Sequence, residues 1–144
     1  MIPIVKPFIP PRDVLMPELE STIYSGYIAQ GQKVEDFECQ LGNYFDHEHV
    51  LTVNSGTSAL HLALILANVG VGDEVISTAL TAEPTNTAIA QTGATIVWAD
   101  VERSTGLICP KSIEKLLTKR TKAIMVVHYA GMVANMNELY RLRE

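Results

Sequence analysis

An α/β fold, a three-layer sandwich, is predicted by two features of this chain. Short apolar runs alternate with helical patterns, four times over, through its second part. The runs at residues 50–53, 74–77, 95–99 and 123–127 read as continuous runs, apolar but for Thr52, Glu74, Ser77 and Thr95, rather than alternating ones, as in parallel strands buried on both faces. Strand–helix alternation then puts helices on the faces of one sheet. A chain of 144 residues is long enough to build such a core.

The elements follow in order. The first segment is extended and holds Pro3, Pro7, Pro10 and Pro11. Asp13 is the expected N-cap of a helix starting at Val14, with Pro17 tolerated in its first turn. Ser25-Gly26 closes that helix, because glycine accepts the left-handed conformation past a helix end. Residues 27–31 are too short for a regular element. A second helix is expected over residues 33–45, where Val34, Phe37, Leu41, Tyr44 and Phe45 share one face.

The strand at 50–53 leads into a helix over 57–68. The strand at 74–77 leads through 78–83 to a helix beginning near Pro84, a residue suited to a first turn. The strand at 95–99 precedes a helix over 110–117, and the strand at 123–127 precedes one from about Asn135. The domain organisation expected is a helical arm over residues 1–48 followed by βα repeats over 49–144. The sequence stops inside an amphipathic helix without a capping glycine, so a piece of a longer protein is expected.

Composition excludes several classes. The chain is 47% apolar and 19% charged, with a net charge of -5, which suits a soluble globular protein and not a nucleic-acid binder. The densest basic run, Lys119-Arg120-Thr121-Lys122, reads as a solvated turn. The longest apolar run, 59–71, is interrupted by His61 and Asn68 and is too short for a membrane span. The start of the chain carries no charged leader before an apolar block, so a cytoplasmic protein without contact to membranes is expected. Cys39 and Cys109 have no metal or redox spacing and read as free thiols.

The segment Asn54-Ser55-Gly56-Thr57-Ser58 carries the strongest chemical signal. A strand there turns through small residues into an almost wholly apolar helix. The first amides of that helix lack intrahelical partners, and the helix dipole adds positive charge. Gly56 and Ser58 leave room for a phosphate, and Thr57 offers a hydroxyl. The bland alternative is a tight turn with a Ser or Thr cap. Neither a Walker glycine–lysine loop nor a dinucleotide glycine fingerprint is present, so a small phosphorylated cofactor fits better than a nucleotide.

Ligands of open parallel sheets sit beyond the carboxyl ends of the strands, where residues 78–85, 100–103 and 128–132 fall. Glu83 is either a first-turn carboxylate favoured by the dipole or a group facing the site. His128 is either a ligand-facing imidazole or a hydrogen-bonded structural one. His61 reads as a core residue, and His47-Glu48-His49 lacks zinc-motif spacing. Asp73 and Glu74, at the opposite strand end, read as turn chemistry.

Several linked motifs resemble the DegT-type sugar aminotransferases across essentially the whole chain. Residues 25–38 are similar to that family's N-terminal signature, and residues 54–64 to its cofactor-phosphate segment. Gly70-Val71-Gly72-Asp73-Glu74, Gly93-Ala94-Thr95, Thr121-Lys122-Ala123-Ile124 and Val127-His128-Tyr129-Ala130-Gly131 match in order. The resemblance implies the N-terminal portion of the large domain of a fold-type I transferase dependent on pyridoxal 5′-phosphate (PLP). It implies transfer of an amino group from an amino acid, typically glutamate, to a nucleotide-linked keto sugar.

Under the resemblance, Gly56, Thr57 and Ser58 hold the cofactor phosphate. Position 82, where relatives carry a ring-stacking aromatic, is Ala82 here. Tyr27, Glu83 and His128 become substrate-side candidates. The family's Schiff-base lysine and its pyridine-pairing aspartate fall beyond residue 144, so no catalytic residue is assigned in this chain and turnover by it alone is not expected. The family's first strand is separated in the sheet from the next three, so residues 50–53 are expected to lack neighbours. A homodimer is expected, with residues 26–31 near the partner's site. Three alternatives stand beside this reading: a sugar-nucleotide binding module without catalysis, a PLP-dependent sugar dehydratase, and an unrelated α/β nucleotide-cofactor enzyme.

Overall fold

A computed structural model describes residues 6–142. Pro3 and the last two residues of the expected terminal helix lie outside the described residues. The chain forms two compact units that divide between Thr52 and Val53.

The first unit contains helices α1 (Arg12–Ser25) and α2 (Gln32–Phe45). Asp13 is not the N-cap of α1. Pro11 occupies that position, with φ -51° and ψ 146°, and Asp13 sits inside the first turn. Proline has no amide to satisfy there, so the helix starts earlier than a side-chain cap would dictate. Gly26 closes α1 at φ 81°, the left-handed conformation expected of it. The apolar stripe of α2 is present but largely uncovered. Val34 and Leu41 are half-buried, while Phe37, Tyr44 and Phe45 are exposed.

Lys33 pairs with Glu18, and that hydrogen bond holds the ammonium above the usual lysine range. Residues 50–53 are not a strand: among the described residues no ladder forms with them, and Leu51 and Val53 are exposed. An apolar run becomes a strand only when a neighbour completes its backbone hydrogen bonds. A carboxylate stands in for one such neighbour. Glu38 Oε1 accepts from the Thr52 amide at 2.7 Å and from Thr52 Oγ1 at 2.8 Å.

These bonds, the amide first, hold the Glu38 carboxyl below the ordinary glutamate range. A lowered native pKa means that Glu38 stabilises the fold above the unfolded pKa, and that this support is lost as pH falls through the native value. Thr52→Val keeps the amide and removes the hydroxyl. The Glu38 pKa, followed by carboxyl NMR, should then move part of the way back up; an unmoved value would rule out the hydroxyl contribution.

The second unit holds helix α3 (Gly56–Leu66), strand β1 (Glu74–Ser77), helix α4 (Glu83–Gln91), strand β2 (Thr95–Trp98), helix α5 (Pro110–Leu116), strand β3 (Thr121–Ile124) and helix α6 (Met136–Arg141). The sheet is parallel in the order β2-β1-β3. Val75 pairs with Ile96 and Ala123, and Ile76 with Val97 and Ile124. β3 begins two residues before the apolar run. Its Thr121 pairs with Glu74, because ladder bonds need backbone groups rather than apolar side chains.

Alternation along the strands sorts side chains into two cores. Val75, with Ile96, Ala123 and Met125, packs against Leu60 and Leu64 of α3 and Ala88 and Ile89 of α4. Ile76, with Val97, Ile124 and Val126, packs against Ile113 of α5 and Leu139 of α6. Helices therefore cover both faces, giving the three layers. Burial on both faces holds for β1 alone. β2 and β3 are half-exposed edges, so their apolar character covers one face well and the other poorly.

The pair Asp73 and Glu74 divides its work. Asp73 Oδ2 accepts from the Gly70 amide at 3.0 Å, the turn chemistry expected. Glu74 is a buried strand residue instead. Its carboxylate accepts from Thr118 Oγ1 at 2.5 Å and pairs with Arg120 at 2.5 Å. Lys119, Arg120 and Lys122 of the basic run are exposed, but the run is not wholly a turn: Thr121 is half-buried and, with Lys122, opens β3.

Candidate functional site

Helix α3 starts from a small-residue turn whose polar groups are mostly committed to one another. Ser55 is the N-cap, and its Oγ accepts from the Ser58 amide at 3.1 Å. Ser58 Oγ donates to Asn54 Oδ1 at 2.7 Å. The Ser58 amide is therefore already engaged. The amides of Gly56 and Thr57, and the Thr57 hydroxyl, have no hydrogen-bond partner among the described residues. Nothing lies within 4 Å of the point where a Gly56 side chain would begin.

Two free amides, a free hydroxyl and the positive end of an eleven-residue helix thus face open space. A cleft of about 460 Å³ runs along this side of α3, lined by Thr57, Ser58, His61, Ile65 and Gln91, with Ser55 and Leu62. His61 belongs to this cleft and is half-buried. It is not a core residue: it lines the cleft and lies outside the cluster in which Leu60 and Leu64 pack on the sheet.

The carboxyl end of β1 is joined to α4 by a polar network. Ser77 Oγ donates to Asn86 Oδ1 at 2.7 Å, and Asn86 Nδ2 donates to the Thr78 carbonyl at 3.0 Å. The Thr81 and Thr85 hydroxyls are 2.9 Å apart. Ala82 is the N-cap residue of α4, extended at φ -66° and ψ 140°, and exposed. Glu83 opens the first turn, where the dipole favours a carboxylate, and its Oε1 accepts from Thr87 Oγ1 at 2.9 Å.

The loops that follow the three strands converge. A side chain at Gly106, which lies beyond β2 with φ +71°, would start 3.2 Å from Leu80 Cδ2 and 3.6 Å from Tyr129 Cδ1. Leu80 follows β1 and Tyr129 follows β3. Ala82, Glu83 and His128 therefore lie within three residues, along the chain, of the Leu80–Tyr129 meeting point on the strand-end rim. His128 is exposed, and its Nδ1 accepts from the Ala134 amide at 3.2 Å, closing a short 3-10 turn over Tyr129–Gly131. Tyr27 belongs to the first unit, exposed, with its amide bonded to Ser25 Oγ at 3.1 Å.

Asn86 was missed at the level of sequence. The available signal was a serine following Val75-Ile76 at the end of a buried strand, since a hydroxyl buried there requires a partner.

Comparison with known proteins agrees with this architecture. The chain is 40% identical over 122 residues to the spore coat polysaccharide biosynthesis protein SpsC of Bacillus subtilis (strain 168), covering 85% of this chain and 31% of that one. The PLP form of Spr1654 from Streptococcus pneumoniae, described as a sugar aminotransferase, superposes with a TM-score of 0.90 at 33% identity, over 98% of this chain and 36% of that one. The sugar aminotransferase CalS13 from Micromonospora echinospora gives 0.84 at 33% identity, over 99% of this chain and 38% of that one.

The chain spans about a third of the length of these relatives. The parallel sheet with helices on both faces is accordingly shared with fold-type I PLP-dependent sugar aminotransferases. The model of the DegT/DnrJ/EryC1/StrS aminotransferase family matches residues 12–144, and the chain belongs to that family.

Proposed function

We propose that this chain forms one wall of the cofactor site of a PLP-dependent aminotransferase. In that reading the whole protein moves an amino group from an amino acid, glutamate, to a nucleotide-linked keto sugar. The observation that carries it is the start of α3. The unpartnered Gly56 and Thr57 amides and Thr57 hydroxyl suit a phosphate monoester, and the open space at Gly56 admits one. Ser58 contributes by keeping the turn closed through Ser55 and Asn54.

When bound, PLP supplies an electron sink for amino-group transfer. The residues here bind and orient. Ala82 presents only a methyl group on the rim, so it would cover a cofactor ring there with less surface than an aromatic residue would give. Glu83 and His128 offer a carboxylate and an imidazole on the same rim for the sugar substrate. Tyr27 is assigned to substrate as well, reaching the site of the second subunit in a homodimer. The protein is proposed to work in the cytoplasm. No helix among the described residues is long and apolar enough to cross a membrane.

Thr57→Val tests this reading. It removes a hydroxyl donor to a dianion, a change worth about 1–2 kcal/mol, or about five- to thirtyfold in affinity. The full chain would be titrated with PLP, following the fluorescence of Trp98, the sole tryptophan. Unchanged affinity would reduce Thr57 to a helix-start residue and remove the basis of the proposal.

A further inference from the structure

The polar network at the end of β1 contrasts with the middle of that strand. Val75 and Ile76 are wholly buried in apolar surroundings, and Ser77, also wholly buried, carries a hydroxyl. A methyl group would fill the same space without needing a partner. Instead, Ser77 is satisfied by Asn86, whose amide group is used at both ends: Oδ1 accepts from Ser77 and Nδ2 donates to the Thr78 carbonyl. Two further bonds act on the same segment, Thr78 Oγ1 to the Leu80 carbonyl at 3.2 Å and the Thr81–Thr85 hydroxyl pair. Thr85 is itself buried. A satisfied buried network fixes one geometry where an apolar contact would tolerate several.

We propose that Asn86 is a positioning residue of the site. By tying α4 to the last residue of β1 and to the carbonyl beyond it, Asn86 sets how residues 78–83, with Ala82 and Glu83 at their end, stand on the rim. The position is specific: the network lies at the carboxyl end of the central strand, the end at which parallel sheets hold their ligands. The geometry stands on its own. Only the identity of the ligand rests on the cofactor reading above.

Two variants of the full chain test it. Asn86→Ala removes both bonds. Ser77→Ala removes one at the loss of a single oxygen atom, a milder change that still reads the role should the first variant destabilise the fold. Hydrogen exchange of the amides of residues 79–83 is read against those of β3 and α5, and PLP affinity is read by Trp98 fluorescence. Loss of about one hydrogen bond's worth of restraint should speed rim exchange about fivefold or more in Asn86→Ala, with β3 and α5 unchanged.

Ser77→Ala should show a smaller change of the same pattern. PLP affinity should fall in the same order. Exchange that is unchanged on the rim, or raised equally throughout the sheet, would overturn the positioning role, as would wild-type PLP affinity in both variants. A wild-type chain that binds no PLP at millimolar concentration would overturn the cofactor reading alone, since the exchange pattern still decides the role of Asn86.

Discussion

Truncating Ile76 to alanine should cost about 3–5 kcal/mol of folding free energy, the upper part of the range for a buried isoleucine. Ile76 has no exposed surface and sits on the middle strand, paired on both sides with Val97 and Ile124. Its side chain packs in the cluster formed by Ala99, Ile108, Ile113, Ala134 and Leu139. The backbone around it is held by ladders on both edges, so the site cannot collapse to fill the space. A domain of this size has about 5–15 kcal/mol in total, so the variant should sit near its unfolding transition at ambient temperature.

Urea denaturation followed by Trp98 fluorescence would show a lower midpoint with an unchanged slope. Ile76→Val should cost only about 0.5–1.5 kcal/mol. A loss below about 1 kcal/mol for the alanine variant would mean that this cluster is not the core of the sheet.

Arg120→Ala should cost about 2–3 kcal/mol, less than the removal of a partner from a fully buried pair because Arg120 itself is largely exposed. The asymmetry of the pair explains the size. Glu74 is buried at the amino end of β1, and the guanidinium reaches it from solvent. Without Arg120 the carboxylate keeps the Thr118 hydroxyl but loses its opposite charge. Glu74→Gln/Arg120→Ala should recover part of the loss, because no uncompensated charge then remains. Thermal unfolding of the two variants side by side checks this. Equal stability of wild type and Arg120→Ala would show the pair to be ornamental.

Much of the second unit was legible in the sequence because its signals are local. β1 has the expected bounds, set between the Gly70–Gly72 turn and the polar residues after Ser77, and Pro84 and Pro110 mark their helix starts. The misreadings share a different cause. Residues 50–53 are more apolar than β1, but a strand is a property of pairs, and no partner pairs with them among the described residues. β3 was displaced because Thr121 and Lys122 contribute backbone groups that composition does not reveal.

The site divides in the same way. The turn at Ser55–Ser58 could be recognised from its small residues, but not which amides it leaves free, since that depends on where the Ser55 hydroxyl points. Asn86 looked like any helix residue until its two partners at the end of β1 were seen.

Strand order also sets a timetable. The Ser77–Asn86 bond closes a short loop, and β1 meets β2 soon after, whereas β3 pairs with β1 only after about twice that length of chain. Short closures carry the smaller entropic cost and form first. During synthesis the β1–α4 corner can therefore take shape while β3 is still on the ribosome, and the later strand arrives at an edge whose rim has already set.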